Sequence, residues 1–131
     1  MLLLDTHAWV WLASDPSQLT ERVKQKIQEE ADQLYVSSIS ALEIALLAKR
    51  ERLILPLSPS DFVEKSLSHH GIQEIPVNYS IAIASASLPD VHNDPFDRMI
   101  IATALLHKMT LISKDAHIAK YPNVKVLWGE L

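Results

Sequence analysis

The stretch "HNDPFDRMIIATAL", His92–Leu105, places two aspartates and an arginine directly before an apolar run that predicts a helix. Asp94 is suited to the N-cap of this helix, Pro95 to its first position and Asp97 to its third. Both carboxylates would then lie at the positive end of the helix dipole, which stabilises negative charge. Helix capping alone therefore explains these acids, and the rest of the sequence has to show whether they also have a function.

The segments on both sides of this helix alternate between strands and helices. Helices are predicted after Thr20, Ser40 and Ser58, which are suited to N-caps, and Gly71 is suited to a helix end. Short apolar runs rich in Leu, Ile and Val predict five strands, at "MLLLD", "LYVS", "IQEIPV", "TLIS" and "VKVLW". This alternation predicts a three-layer α/β/α fold around a five-stranded, mainly parallel sheet.

The chain of 131 residues is predicted to form one domain, residues 1–131, because no linker, repeat or low-complexity segment divides it. Apolar residues make up 48% and charged residues 21%, which is typical of a globular protein and excludes a disordered one. The absence of cysteine excludes disulfides and thiolate metal sites. No segment is long and apolar enough for a signal peptide or a membrane span, so we expect a cytoplasmic protein without membrane contact.

The net charge of -4 gives the chain no general attraction for nucleic acid. Any binding of nucleic acid would need a local basic patch or a metal ion. The densest basic group is "AKRER", which contains Lys49, Arg50 and Arg52. Three such charges near a helix end are typical of a solvated surface.

Acidic residues stand where several of the predicted strands end and helices begin. Asp5 closes the first strand, and Asp115 follows "TLIS" by two residues. Asp94 and Asp97 begin a helix, and Glu43 lies near the start of the helix predicted after Ser40. In an open α/β sheet, ligands bind beyond the carboxyl ends of the strands, where helices of this architecture also begin. We therefore expect these acids to converge on one edge of the sheet.

Each acid also has a purely structural explanation. Asp5 is suited to capping the helix that follows it, and Asp115 to starting a turn or a short helix. Glu43 stands three residues after Ser40, which is the spacing of a capping box. These explanations stay open for the single residues, but independent caps do not predict that all the acids gather at one edge.

Carboxylates brought together repel one another unless a cation lies among them. Oxygen ligands without cysteine favour Mg²⁺ or Mn²⁺, and the histidines lack the HExxH spacing of a zinc hydrolase. A cation held in this way can activate water and polarise a phosphate, which is the chemistry of phosphodiester hydrolysis. His7 and His92 lie near the acids in the sequence and are candidate substrate contacts.

Three further residues near the acids are candidates for supporting roles. Arg98 follows Asp97 and would either steady a phosphate or pair with a neighbouring acid. Thr6 and Ser113 would orient an acid or a water molecule, or would simply cap a helix.

The segments "LLLDTHAWVWL", "VSSISALEIALLAK", "LPDVHNDPFDRMIIATAL" and "LISKDAHIAKY" together resemble the PIN-domain ribonucleases, specifically the VapC toxins of type II toxin-antitoxin modules. The resemblance covers nearly the whole chain in order. It implies a sheet of order 3-2-1-4-5 and a metal-dependent endoribonuclease. It assigns catalysis and the binding of Mg²⁺ or Mn²⁺ to Asp5, Glu43, Asp97 and Asp115. Asp94 is expected to be a helix cap first and an outer-shell ligand second.

The same resemblance implies an RNA substrate, a cognate VapB-like antitoxin as partner and a homodimer. Trp9, Trp11 and Leu12 around the first helix are the candidate exposed positions for dimerisation, and we expect at least one of these aromatic side chains to lie in the core instead. Two positions depart from the family pattern. Lys114 stands where an arginine is common, and Val91 where related proteins carry a histidine before His92.

Other classes of protein fit parts of this pattern. A catalytically weak PIN-like module that binds RNA or a protein is the main alternative. A receiver domain would have paired acids after its first strand and an aspartate ending its third, but "QEIPVN" ends with Asn78. A phosphatase of the haloacid dehalogenase type would have a second aspartate two residues after Asp5, where this chain has His7.

Overall fold

The computed structural model describes residues 1–129 of the chain. Strands and helices alternate along most of this length, as the sequence predicts. In chain order they are β1 Leu2–Leu4, α1 Thr6–Ser14, a short 3₁₀ turn Pro16–Gln18, α2 Glu21–Glu29, β2 Leu34–Ser37, α3 Ser38–Lys49, α4 Pro59–His70, β3 Gln73–Ile75, α5 Tyr79–Ala86, α6 Pro95–His107, β4 Thr110–Ile112, α7 Ala116–Ala119 and β5 Lys125–Leu127.

The five strands form one sheet in the order β3-β2-β1-β4-β5, and every neighbouring pair is parallel. The predicted order and strand number are therefore confirmed. β1 lies at the centre, where Leu3 pairs with Tyr35 of β2 on one side and with Leu111 of β4 on the other. The carboxyl ends of β1 and β4 are consequently neighbours, which places the residues that follow them at the same edge.

Helices cover both faces of the sheet, as the predicted three-layer α/β/α fold requires. Successive side chains of a strand point to opposite faces, and β1 is buried along its whole length. Leu2 and Leu4 belong to a cluster with side chains from α1, α2 and α4, whereas Leu3 belongs to a second cluster with side chains from α6 and α7. This double burial explains why β1 is a continuous leucine run rather than an alternating one.

The predicted helix boundaries are confirmed where a side chain next to the helix decides them. Thr20 caps α2, Ser58 caps α4 ahead of a proline at its first position, and Asp94 caps α6 in the same way. Gly71 ends α4 in the left-handed region at φ 62°, which a residue with a Cβ adopts only with strain.

The predicted capping box at Ser40 and Glu43 is wrong. β2 passes into α3 without a loop, so Ser37 is the N-cap and accepts a hydrogen bond from the Ile39 N–H at 3.1 Å. Glu43 therefore lies in the second turn of the helix, where its carboxylate is free of any capping role. Ser40 is completely buried and contacts Thr6 instead.

Among the helices within residues 1–129, none combines the length and the apolar character needed to cross a membrane.

Candidate active site

The predicted acids line a single pocket at the carboxyl edge of the sheet. Asp5 follows β1 directly and caps α1, and Asp115 follows β4 and caps α7. Asp97 lies in the first turn of α6, next to its cap Asp94, and Glu43 reaches the pocket from α3. The expected convergence is thus observed, and capping and clustering turn out to be compatible for Asp5, Asp94 and Asp115. The pocket is lined by Asp5, His7, Trp11, Glu43, Asp94, Asp97, Lys114 and Asp115.

Asp5 is the most deeply buried of these acids, with 7% of its surface exposed. It accepts a hydrogen bond from the Ala8 N–H at 2.8 Å. Burial raises the pKa of Asp5, while hydrogen bonds from Ser113 and Ala8 act in the opposite direction. Ser113 is itself buried and also accepts a hydrogen bond from the Asp115 N–H at 3.1 Å. Ser113 therefore links the acid after β1 to the segment that carries the acid after β4.

Thr6 performs a similar task for Glu43. The Thr6 hydroxyl is 2.5 Å from Glu43 Oε1 and 2.9 Å from the Ser40 hydroxyl. Because a carboxylate can only accept, Thr6 donates to Glu43, and Ser40 supplies the proton for the second contact. These two buried hydroxyl groups hold the Glu43 carboxylate toward Asp5. Orienting an acid is one of the roles that the sequence predicts for Thr6.

The pKa of Asp97 is raised as well. Burial raises it most, the charges of Asp94, Asp115 and Glu43 also raise it, and a hydrogen bond from His92 lowers it, which together give a pKa of about 6. Ligand atoms of His92, Asp97 and Asp115 lie within 4.8 Å of one another, a spacing that can hold a metal ion. The hydrogen bond from His92 thus does not offset the burial of Asp97 and the repulsion from the neighbouring carboxylates.

His92 and Tyr121 form a chain of hydrogen bonds that ends on Asp97. A guanidinium can only donate, so Arg98 donates to the Tyr121 hydroxyl at 3.1 Å. Tyr121 oxygen lies 2.7 Å from His92 Nδ1, and His92 Nε2 lies 3.1 Å from Asp97 Oδ2. When Tyr121 donates to Nδ1 of the neutral His92 ring, the single N–H proton of that ring lies on Nε2. The charged His92 ring carries a proton on Nε2 as well. In both states His92 donates to Asp97 and orients it.

Tyr121 and His117 are the residues of this region that sequence reasoning missed. Tyr121 is buried beneath His92. His117 Nδ1 lies 3.2 Å from Asp115 Oδ1, and the His117 ring stacks on the His92 ring with their centroids 5.8 Å apart. Both stand inside "LISKDAHIAKY", but neither has a spacing to an acid that would single it out. Their proximity depends on how α7 packs against the loop before α6.

Arg98 does not line the pocket, and its predicted ion pair with an acid is wrong. Its guanidinium donates to the carbonyl oxygens of Pro89, His92, Ser85 and Leu88 at 2.8–3.2 Å. Within residues 1–129 no ion pair joins it to a carboxylate. Arg98 thus holds the loop between α5 and α6 in place, so its contribution to the pocket is indirect.

Another part of the pocket lining is aromatic and basic. His7 and Trp11, one turn apart on α1, have ring centroids 5.7 Å apart, and Lys114 Nζ lies 5.8 Å from the Trp11 ring. Trp9 is the aromatic residue of α1 that lies in the core, as expected for at least one of them, with 1% exposure and an indole N–H that donates to Ser66 at 2.9 Å. Trp11 and Leu12 are partly buried against the same core.

A sequence-family model described as "PIN domain" matches residues 2–124. The chain belongs to the PIN-domain family. Within this family it is 32% identical over 130 residues to Ribonuclease VapC22 of Mycobacterium tuberculosis, an alignment that covers 97% of this chain and 98% of that protein. The resemblance to VapC-type PIN domains stated from the sequence motifs is thereby confirmed.

Solved structures show the same fold. VapBC2 from Rickettsia felis, bound to a DNA fragment from its promoter, matches with a TM-score of 0.72 at 15% identity and covers 98% of both chains. A toxin-antitoxin complex from Klebsiella pneumoniae matches with a TM-score of 0.67 at 24% identity, covering 97% of this chain and 96% of that one. At these identities the likeness establishes the fold alone.

Proposed function

We propose that this PIN domain is a metal-dependent endoribonuclease and the toxin of a type II toxin-antitoxin module. The observation that supports it most is the meeting of Asp5, Glu43, Asp97 and Asp115 in one pocket, although separate segments of the chain supply them. Helix capping explains the positions of Asp5 and Asp115, but it explains neither Glu43 nor the fact that the four acids share a pocket. The similarity to a ribonuclease over nearly the whole chain supports the same proposal.

The residues of the pocket fit a divalent cation. The donor set consists of carboxylate oxygens, which suit Mg²⁺ or Mn²⁺, and the raised pKa values of Asp5 and Asp97 mark negative charge that a cation would stabilise. Asp5, Glu43, Asp97 and Asp115 would hold it, with Asp94 at the outer shell. A cation bound there supplies Lewis acidity toward a phosphate oxygen and lowers the pKa of bound water.

The remaining residues of the site prepare the carboxylates for this task. Ser113 fixes Asp5, Thr6 fixes Glu43, and His92 fixes Asp97 through hydrogen bonds that need no metal. Ligands held in this way lose little conformational freedom when a cation arrives. His7 and Lys114, which line the same pocket, would contact the RNA phosphates, which the acids alone would repel.

An antitoxin is the expected protein partner, because an intracellular ribonuclease with a preassembled site has to be blocked. The Klebsiella pneumoniae neighbour was solved as a toxin-antitoxin complex. We propose that the antitoxin of this chain inserts an arginine or lysine among the four acids and thereby competes with the metal for their charge. Expression of both proteins together in the cytoplasm, with the chain as a homodimer, follows from the same proposal.

The test compares the wild type with two charge-matched variants. Asp97→Asn should abolish cleavage of total RNA in Mg²⁺ or Mn²⁺ buffer, because it removes a ligand charge while keeping the shape of the side chain. Asp32→Asn removes the same charge from the exposed turn before β2, at the opposite edge of the sheet, and should cleave like the wild type. EDTA should stop the wild-type reaction, and mapping of the new RNA ends gives the cleavage sites.

Growth of cells that express the chain separates a toxin from a weak binding module. The wild type should arrest growth, Asp97→Asn should not, and the neighbouring gene should restore growth. Equal cleavage by Asp97→Asn and wild type would contradict the proposed site. A folded wild type that binds RNA but never cleaves it would instead establish the catalytically weak PIN module.

A further inference from the structure

The pocket lining contains two chemically different groups of side chains, and the proposed metal site uses only the acids. The other group consists of His7 and Trp11 from α1 and of Lys114 from the segment between β4 and α7, which lie close to one another. Because they line the same pocket as the acids, they are within reach of an RNA strand that is bound at the acids. Nothing in the hydrolysis of a phosphodiester requires an indole ring at this place.

Trp11 is held in a fixed position. Its ring packs against Trp128 with centroids 5.6 Å apart, and partly buried atoms of Trp11 belong to the core cluster around Leu2 and Leu4. The ring is nevertheless part of the pocket lining. A flat aromatic surface that is already immobilised loses little entropy when a second flat ring stacks on it, which makes it a suitable platform for a base.

Lys114 adds a positive charge beside this ring. Among the eight residues that line the pocket it is the one with a permanent positive charge, and five others are carboxylates. The lysine is exposed, and its ammonium lies over Trp11 rather than in an ion pair within the described part of the chain. An ammonium in this position can contact a phosphate that is bound beside an aromatic ring.

We propose that Trp11, His7 and Lys114 form a nucleotide subsite of the RNA, in which a base stacks on Trp11 and the adjoining phosphate contacts Lys114. The inference rests on the proposed ribonuclease function, because it places the nucleotide next to the phosphate that the acids address. Stacking accepts every base, so the subsite positions the strand and favours the bases that stack most strongly. Single-stranded RNA is its ligand, since a paired base would not be free to leave its stack.

The test measures binding without cleavage, so that its result does not depend on turnover. The Asp97→Asn protein is titrated into a fluorescein-labelled oligoadenylate of about six nucleotides, followed by fluorescence anisotropy. Adding Trp11→Leu should weaken binding about 5- to 100-fold, the range found for loss of one base–aromatic stack. Trp11→Phe keeps a ring and should retain most of the affinity, and circular dichroism reports whether each variant is folded.

The charge of Lys114 is tested in the same assay through its salt dependence. Lys114→Gln should reduce the slope of log K against log salt concentration by about 0.7, the value for one contact to a single-stranded phosphate. Lys114→Arg should keep the wild-type slope. A matching oligomer of abasic nucleotides needs no variant of the protein, and it should bind about 5- to 100-fold more weakly than oligoadenylate.

The possible results lead to different conclusions. Equal affinity of Trp11→Leu and Trp11→Phe for oligoadenylate, or equal affinity for the abasic oligomer, would overturn the subsite. If folded Trp11→Leu binds RNA normally but loses affinity for the purified antitoxin, this surface belongs to the protein partner instead. Loss of cleavage alone would not affect the subsite, because the proposed catalytic acids are tested separately through Asp97→Asn, with Asp32→Asn as its control.

Discussion

Asp97 is a carboxyl group that is largely buried and also surrounded by other negative charges. Only 18% of its side chain is exposed, three other carboxylates act on it, and its pKa of about 6 lies near neutrality. His92 compensates for a part of this through its hydrogen bond. A group of this kind is costly to the folded state in the absence of a cation, which is common for residues whose position is set by function.

We therefore expect the metal-free protein to become less stable as the pH rises toward the pKa of Asp97. Its folded pKa of about 6 exceeds the ordinary value of 3.8, so between about pH 4 and 6 the folded state keeps a proton that the unfolded state has lost. The unfolding free energy should fall over this interval by up to about 3 kcal/mol. Urea unfolding in EDTA at pH 4.5 and 7 measures the difference.

Asp97→Asn should reduce this pH dependence and raise the stability at pH 7, because the amide cannot ionise. A decrease should persist in the variant, since the pKa of buried Asp5 is raised in the same direction. Asp32→Asn serves as the control that removes a charge outside the pocket. An Asp97→Asn protein as sensitive to pH as the wild type would disprove the assignment of this effect to Asp97.

At the level of elements, the start of α6 is held in place by contacts that reach across three parts of the chain. Arg98 of α6 binds carbonyl oxygens of the α5–α6 loop, and Tyr121, just after α7, connects Arg98 to His92 in that loop. The first turn of α6 carries Asp97, so these contacts decide where that carboxylate points.

Tyr121→Phe tests this arrangement with the loss of one oxygen atom. The variant should lose about 1 kcal/mol of unfolding free energy, because Arg98 and His92 each lose a partner. Without its Nδ1 partner, the neutral His92 ring should populate both tautomers, which changes its ¹⁵N chemical shifts. Affinity for Mn²⁺ should fall about 10-fold or more, as expected when the group that orients a ligand is disturbed.

Tyr79→Phe is the matched control, because the Tyr79 side chain lies on α5 with 80% exposure. It should leave the stability, the histidine shifts and the metal affinity at their wild-type values. Unchanged ¹⁵N shifts of His92 in folded Tyr121→Phe would show that Tyr121 does not set the tautomer.

The parts of the structure that the sequence could predict are those that depend on neighbours along the chain. The caps at Thr20, Ser58 and Asp94 follow from a side chain bonding to a backbone N–H two or three residues away. Strand order was available only through the family resemblance, since short apolar runs do not specify which strands are adjacent.

The predictions that failed depend on contacts between distant segments. The capping box at Ser40 required a loop after β2, but α3 begins at Ser38 with Ser37 as its cap, and Ser40 and Glu43 are both bound to Thr6. The partners of Arg98 are backbone oxygens of a loop, and a backbone oxygen carries no signal in the sequence. The pattern of α1 predicts a core position for at least one aromatic side chain, but it does not distinguish Trp9 from Trp11.

At the level of the whole molecule, we propose that residues 1–131 form a single PIN domain, since one sheet spans β1 to β5 and both core clusters include residues of β1. The homodimer stays a prediction. Of the side chains predicted for it, Trp9 lies in the core and Trp11 and Leu12 are partly buried, whereas Tyr79 and Ile83, one turn apart on α5, are exposed apolar residues.

Thermal unfolding should therefore show one transition, identical by far-UV circular dichroism and tryptophan fluorescence. Mn²⁺ at 100 times its Kd should stabilise the wild type by about 2.7 kcal/mol, and EDTA should reverse this. If the chain is a homodimer, the midpoint should rise with protein concentration. Two separate transitions would contradict the single domain, and a midpoint independent of concentration would contradict the dimer.

The central position of β1 has a consequence for the order of events on the ribosome. Leu3 pairs with Leu111, which is synthesised only after the helices and strands that lie between them in the chain. Asp5 and Asp115 follow these two strands, so the pocket is incomplete until the segment up to Asp115 has been made. A nascent or prematurely terminated chain lacks the last acid and the strand that carries it to the pocket. The topology thus delays the appearance of a complete acidic site until β4 and Asp115 have been synthesised and have joined β1.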